Sequence, residues 1–138
     1  MKFSRRDALA LGLGGIAAAV APFPALAAAE DDIAAFTGGA APGSAGITLT
    51  APEIAENGNT VPVSVVAPGA VAILLLATGN PTPAVATFTF GPGAGSQKAA
   101  TRIRLAKTQD VVAVAKMADG SFVQTQATVK VTIGGCGG

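Results

Sequence analysis

The sequence contains no histidine, no tryptophan and no tyrosine. Without histidine the chain cannot form a Ser–His or Cys–His nucleophile pair, nor a histidine-ligated metal site. These three absences remove most of the side chains that carry out acid–base and metal chemistry at neutral pH. An ordinary hydrolase or metalloenzyme centre is therefore not expected.

Cysteine is nearly absent, since Cys136 is the only one. It has no partner for an internal disulfide and no second thiol for a dithiol redox motif, which argues against a thiol oxidoreductase. It also lies between two pairs of glycines, so no bulky neighbours bury it. Cys136 is therefore not expected to be a core residue.

The few carboxylates of the predicted domain are Glu53, Glu56, Asp110 and Asp119. Each lies in or beside a turn-like stretch, so turn formation explains them better than paired acid–base work. The glycine-rich "GPGAGS" does not lead from a strand into a helix with a lysine, so a phosphate-binding loop is not expected.

The first 27 residues have the pattern of a cleavable export signal. A basic head containing Arg5 and Arg6 precedes an apolar stretch over residues 8–21 and a small-x-small site at residues 25–27. The paired arginines predict the twin-arginine pathway and a periplasmic location. An ordinary secretory signal is the alternative. The apolar stretch is shorter than the roughly 20 residues of a membrane span, so no membrane anchor is expected.

The formal charge of +1 belongs to this signal. Removing Lys2, Arg5, Arg6 and Asp7 leaves six basic and seven acidic residues, a net charge of −1. No basic surface for nucleic acid is therefore predicted.

Residues 28–46 form a separate N-terminal segment in this interpretation. A short helix is predicted, with the acidic residues 30–32 near its positive end and with Ile33 and Phe36 docking one face onto the domain. Gly38 and Gly39 are expected to end it. A spacer without regular structure is the alternative.

Residues 47–133 consist of short strand patterns separated by turn signals. The seven predicted strands are "ITLT", "TVPVSVV", "VAILLLA", "VATFTF", "TRIRLA", "QDVVAVAKM" and "FVQTQATVKVTI". With no helix among them, they predict an all-β, immunoglobulin-like sandwich of about seven strands. A small barrel is the alternative. Pro52 and Pro62 predict that the N-terminal strands lie at sheet edges, covered by a partner subunit or protected within a monomer.

The end of the chain, residues 134–138, reads "GGCGG". Gly134, Gly135, Gly137 and Gly138 give Cys136 a thin segment with unrestricted backbone angles, able to place the thiol about 10 Å beyond the last strand. The pattern predicts a flexible carrier arm that presents Cys136 to a narrow active site. An exported interaction module whose tail cysteine makes intermolecular disulfides is the alternative. Prenylation is not expected, because it needs a cysteine fourth from the end.

Several segments together resemble the SoxY family, the sulfur-carrier subunits of the periplasmic thiosulfate-oxidising (Sox) multienzyme system. They are "AENGNTVPV", "NPTPAVATFTFGPG", "TRIRLAKTQDVVAVAKMADG" and "VKVTIGG" leading into "GGCGG". The resemblance covers most of the chain after the signal. It implies an immunoglobulin-like subunit with the sulfur attachment site at Cys136 and no catalytic residue, metal or other cofactor of its own.

The resemblance also implies a set of partners. A second sandwich subunit, SoxZ, would form a heterodimer with this chain, or a heterotetramer linked through Cys136. The cytochrome SoxXA would join thiosulfate to the thiol, the di-manganese hydrolase SoxB would release sulfate, and the molybdenum-haem dehydrogenase SoxCD would oxidise the remaining sulfane. The cysteine would thus carry thiosulfonate and sulfane adducts in turn.

Overall fold

The structure, a computed structural model, describes residues 24–133. The predicted signal arginines, Arg5 and Arg6, lie outside these residues, as does the predicted arm at residues 134–138. The described part of the chain forms one helix and eight strands. They are α1 (Pro24–Thr37), β1 (Thr48–Thr50), β2 (Ile54–Ala55), β3 (Val61–Val66), β4 (Ala70–Ala77), β5 (Ala84–Thr89), β6 (Lys98–Ile103), β7 (Gln109–Met117) and β8 (Phe122–Val131).

The strands form two sheets. The smaller sheet has the order β1-β3-β6 and the larger has the order β2-β8-β7-β4-β5. Every pair is antiparallel except β2 and β8, which run parallel. The predicted all-β, immunoglobulin-like sandwich is confirmed.

The core lies between the sheets and follows the two-residue period of the strands. Val61, Val63 and Val65 of β3 are all buried and face Ile73 and Leu75 of β4 across this core. Phe88 and Phe90, predicted to share one side, are both half-buried against the same cluster. Alternation in the sequence therefore identified the inner faces correctly.

Helix α1 covers the outer face of the larger sheet. Ile33 and Phe36 pack against a second buried cluster, formed by Leu74, Leu76, Val112 and Val114. Strands β4 and β7 are consequently buried on both faces, which explains why "VAILLLA" is continuously apolar. The predicted docking of the helix is confirmed.

The ends of α1 differ in how well they were predicted. The helix stops at Thr37 as expected, because Gly38 and Gly39 adopt left-handed angles, with φ of 66° and 89°. It begins at Pro24, however, so the acidic residues 30–32 lie beyond its first turn and not at its positive end. Proline fits the first position of a helix, where no backbone donor is needed, and this start precedes the expected cleavage site.

Pro62 lies in the central strand of the smaller sheet, so the prediction that it marks an edge strand is wrong. Strand β1 ends where Thr50 pairs with Ser64, before it reaches Pro62. The N–H of Ala67 donates to the carbonyl of Gln97, on the side of β3 that faces β6. Backbone N–H groups alternate sides along a strand, so the nitrogen of Pro62 points to the opposite side, where β1 has already ended. Pro52 lies in the loop after β1, which is an edge strand.

Two other strands differ from expectation. Strand β6 covers residues 98–103, three residues earlier than predicted, and strand β2 was not predicted as a strand at all. A two-residue strand is too short to show alternation, and the fixed loop after β6, described below, takes residues 104–106 out of the sheet.

Candidate functional site

The predicted attachment site, Cys136, and its glycines, Gly134, Gly135, Gly137 and Gly138, lie outside the described residues. The structure does describe the point from which they continue. Strand β8 ends at Val131, and Thr132 and Ile133 follow. We use the name arm base for Thr132 and Ile133, together with the segments that hydrogen-bond to them.

The backbone of the arm base is held by β2 and by the turn that follows it. The N–H of Thr132 donates to the carbonyl of Ala55 at 3.1 Å, and the N–H of Gly58 donates to the carbonyl of Ile133 at 2.8 Å. The carbonyl of Gly58 in turn accepts the N–H of Leu105 at 2.7 Å. The last residue before the predicted arm is therefore bonded to Gly58, which is itself bonded to the loop after β6.

Strand β2 is short because a turn follows it immediately. Ala55 pairs with Val131 and is buried, and the side chain of Asn57 then accepts the N–H of Asn59 at 3.0 Å. This side-chain bond forms the turn and places Gly58, which is buried, against the chain end. The residues of "ENGN" are typical of a turn, but nothing in the sequence predicts that this turn contacts Ile133.

The loop between β6 and β7 supports the same place from the other side. The hydroxyl oxygen of Thr108 accepts the N–H of Val131 at 2.9 Å. Behind it, the buried side chain of Asn80 donates to the carbonyl of Arg104 at 2.7 Å and accepts the N–H of Ala106 at 3.0 Å. A buried amide that has its partners fixes one loop conformation, because leaving them unmade is costly.

Gln109 completes this network. Its side-chain N–H groups donate to the side-chain oxygen of Asn80 and to the carbonyl of Lys107, both at 2.9 Å, and its side-chain oxygen accepts the N–H of Gly79 at 2.9 Å. Asn80 and Gln109 thus join the β4–β5 loop to the loop that holds β8. The sequence analysis does not predict their contribution, since one amide in a turn and one at the start of a strand form no pattern that a single sequence reveals.

The carboxylates are not gathered into a reactive pair. Glu53 and Glu56 are exposed on either side of β2, and Asp110 accepts the hydroxyl of Thr128 at 2.6 Å. Asp119 accepts the hydroxyl and the N–H of Ser121, at 2.6 and 2.9 Å, and these bonds lower the pKa of Asp119 below its usual value. The expected turn role of Asp119 is confirmed.

Residues 24–133 contain no cluster of three or more histidine, cysteine, aspartate or glutamate side chains that could hold a metal ion. Within the same range no helix has the length and apolar character needed to cross a membrane.

Comparison with known proteins identifies the family. The model of the family described as "Sulfur oxidation protein SoxY" matches residues 33–136. Among solved structures, the sulfur carrier protein SoxY from Chlorobium limicola f thiosulfatophilum has 36% sequence identity and a TM-score of 0.68, covering 78% of this chain and 94% of its own. A search of curated protein sequences finds no match.

More distant structures share the fold only. A superoxide reductase (neelaredoxin) from Ignicoccus hospitalis is 20% identical with a TM-score of 0.54, covering 62% of this chain and 79% of its own. A putative superoxide reductase from Thermotoga maritima is 15% identical with a TM-score of 0.51, covering 62% of this chain and 84% of its own. The family match includes Cys136, and the SoxY structure corresponds over most of both chains. The chain therefore belongs to the SoxY family of sulfur carrier proteins, which act in sulfur oxidation.

Proposed function

We propose that this protein is a covalent carrier of sulfur intermediates in thiosulfate oxidation and that Cys136 is the attachment site. One observation carries the proposal: the SoxY family model matches as far as residue 136, the only cysteine of the chain. A thiol in this family position is the only side chain of the sequence suited to holding sulfur as a covalent adduct.

The proposed cycle begins with an oxidative conjugation. The Cys136 thiol and thiosulfate join through a new sulfur–sulfur bond, releasing one proton and two electrons to the cytochrome SoxXA. Water then hydrolyses the terminal sulfone group, which leaves as sulfate with a proton, and a persulfide remains on Cys136. The hydrolase SoxB carries out this second step.

The persulfide has two further steps where SoxCD is present. Its outer sulfur takes up three oxygens from water and releases six electrons and seven protons to SoxCD, giving an S-sulfonate. Hydrolysis then releases a second sulfate and restores the free thiol. Each enzyme supplies its own catalytic groups, so this chain is a carrier and not an enzyme in the proposal.

The arm base supports the proposal that this chain presents the adduct while separate enzymes act on it. Ile133 is fixed to Gly58, whereas the residues around Cys136 carry no side chain except the thiol. A fixed base with a thin glycine segment suits presentation of an adduct inside an enzyme's entrance. Gly134, Gly135, Gly137 and Gly138 form the arm in this proposal.

The proposed setting is the periplasm, reached through the twin-arginine pathway by means of Arg5 and Arg6. SoxZ is the proposed stable partner, forming a heterodimer with this chain. No nucleic acid or membrane anchor takes part, and the only group on this chain is the sulfur adduct on Cys136.

Intact mass measurement tests the proposal. The protein is purified from cells grown with and without thiosulfate and measured before and after reduction. Reductant-labile additions of sulfur or thiosulfate, dependent on thiosulfate and mapped to the peptide containing Cys136, are expected. A bare thiol, or only a disulfide dimer in both cultures, would instead indicate the exported interaction module.

A further inference from the structure

Helix α1 contains two bonds at which the proposed export signal can be removed. Signals are cleaved after a small-x-small pattern. Ala25 and Ala27 form one such pattern, which directs cleavage after Ala27, and Ala27 and Ala29 form a second, which directs cleavage after Ala29. Both bonds lie inside the helix, which begins at Pro24. The patterns alone therefore do not decide which bond is cut.

The face of α1 that packs on the larger sheet includes Ala29. Ala29 is 3% exposed, whereas Ala27 is half-buried. Ile33 and Phe36 follow Ala29 at spacings of four and three residues, so the three side chains share one face of the helix. The ring of Phe36 also makes an edge contact with Phe122 of β8, with the ring centroids 5.9 Å apart. Cleavage after Ala27 keeps this docked face whole, and cleavage after Ala29 shortens it.

The two bonds differ in how much of the helix must open before a protease can cut them. Peptides commonly bind to proteins as extended strands, so a bond inside a helix must first be unwound to be held in that way. Unwinding residues 24–28 opens the first turn, where the N–H groups have no partner in the helix and fraying costs little. Unwinding as far as Glu30 also lifts Ala29 out of its buried position. Fraying therefore presents the first bond, whereas the second needs the helix to undock.

The proposed export route determines whether this difference matters. The twin-arginine pathway transports proteins that have already folded, so α1 is docked when the chain meets the enzyme that removes the signal. An ordinary secretory route would present an unfolded chain, in which both bonds are equally open. Under the proposed route, the fold is therefore present to choose between the bonds.

We propose that the docking of α1 fixes the processing site, so that the signal is cut after Ala27 and the docked helix protects the bond after Ala29. This inference rests on the export route of the proposed function. The mature chain begins at Ala28 and keeps the whole docked face. It also brings the acidic residues 30–32 close to the new positive end of the helix, where negative charge is favourable.

The test removes the first pattern and leaves the second. Ala25→Leu places a large residue in the pattern that serves the bond after Ala27, whereas the pattern of Ala27 and Ala29 is unchanged. Processing of the full-length protein in cells is followed by pulse labelling, and intact mass identifies the first residue of each product. The proteins compared are wild type, Ala25→Leu, Ala25→Leu with Phe36→Ala, and Ala25→Leu with Phe88→Ala.

Phe88→Ala is the matched control for Phe36→Ala. Both rings are half-buried on the larger sheet, but Phe88 packs against the core between the sheets and Phe36 against the cluster under the helix. The same substitution therefore weakens the sandwich in one case and the docking of α1 in the other.

We expect wild type to give a product that begins at Ala28, and Ala25→Leu to persist as the precursor. Cutting of a transiently opened site follows the population of the open form, so processing of Ala25→Leu should be at least about tenfold slower than that of wild type. Adding Phe36→Ala should raise the rate again by about tenfold, with a product that begins at Glu30. Adding Phe88→Ala should leave the precursor uncut.

Processing of Ala25→Leu at the wild-type rate would overturn the inference, as would a wild-type product that begins at Glu30. Equal acceleration by Phe88→Ala and Phe36→Ala would overturn it too, by showing that general destabilisation opens the bond. Ile33→Ala takes the place of Phe36→Ala if that variant does not fold and stays in the cytoplasm. An exported, undocked variant that remains uncut would likewise contradict the proposal.

Failure of the proposed function gives different results. Normal export and processing after Arg5→Lys with Arg6→Lys would remove the twin-arginine route on which the inference rests. A product that begins at Ala28 but never gains a thiosulfate-dependent mass on Cys136 would refute the carrier role and leave the processing site as proposed.

Discussion

At the scale of single residues, the protein separates reactive from structural side chains. Cys136 is the only thiol of the sequence, and the carboxylates of the described strands and loops are dispersed, with Asp110 and Asp119 each hydrogen-bonded to a neighbouring hydroxyl. Asn80 and Gln109 are the buried polar side chains with the most partners, and their role is to fix loops. The consequence is that chemistry and folding should respond to different substitutions.

Replacing Cys136 with serine should abolish adduct formation and leave stability unchanged. A serine hydroxyl does not form the sulfur–sulfur bond with thiosulfate, and Cys136 lies beyond the strands that form the core. The thermal midpoint should stay within about 1 °C of wild type, because none of the buried residues of the described core is changed. Calorimetry with intact mass measurement checks both parts; a thiosulfate-dependent adduct on the serine variant would contradict the assignment of the site.

Replacing Ser121 with alanine should raise the pKa of Asp119. The Ser121 hydroxyl contributes most to lowering this pKa, and the Ser121 N–H, which contributes next, remains in the variant. Because the folded-state pKa is lowered, the stabilisation from this turn is present above the ordinary carboxyl pKa and is lost as pH falls through the folded value. Carboxyl NMR titration of wild type and variant measures the shift, and an unchanged pKa would contradict it.

At the scale of elements, the arm base depends on loops more than on strand β8 alone. Strand β2, the turn after it and the loop after β6 bond to Val131, Thr132 and Ile133, and the β4–β5 loop fixes the loop after β6. Gly79 is the closest point of this packing, because an added Cβ would lie 3.0 Å from the Cβ of Gln109. The side chain of Gln109 is bonded to three groups and has little freedom to move aside.

Gly79→Ala should therefore destabilise the domain by about 1–3 kcal/mol, the usual cost of overpacking. Gly93→Ala is the matched control: Gly93 has no atom within 4 Å of the added Cβ and no left-handed angle, so its stability should change by less than about 1 kcal/mol. Denaturant unfolding of both variants measures the difference. Equal stabilities would show that the β4–β5 loop moves aside without cost.

Helix α1 and the sandwich illustrate how far elements were predictable. The alternating strands and the spacing of Ile33 and Phe36 were sufficient, because burial of one face leaves a period in the sequence. Strand β2 left no period, being two residues long, and the position of Pro62 depended on where β1 ends. The arm base could not be predicted for a similar reason. Its hydrogen bonds are made mostly by backbone groups, which nearly every residue type has, so they leave no pattern in the sequence.

At the scale of the whole molecule, the proposed export route bears on where this chain binds its partner subunit. The twin-arginine pathway carries folded proteins, so we infer that a partner without its own signal can cross the membrane bound to this chain.

Replacing both Arg5 and Arg6 with lysine should prevent export of this chain and of the partner that depends on it. The precursor should accumulate in the cytoplasm, and mature SoxZ should be missing from the periplasm. Immunoblots of both fractions measure this, with an ordinary secretory protein as the export control. Normal amounts of mature partner in the periplasm would contradict the shared route.

The sequence by itself determined the sandwich, its inner faces, the docked face of the helix and the single thiol, because burial periodicity and residue chemistry are local properties of the chain. Only the tertiary structure decided the sheet order, the central place of β3 and the way that Gly58, Thr108, Asn80 and Gln109 hold the arm base. Those features join residues from distant parts of the chain through backbone and amide hydrogen bonds. Such bonds impose little residue-type pattern on the sequence, so the folded chain is needed to locate them.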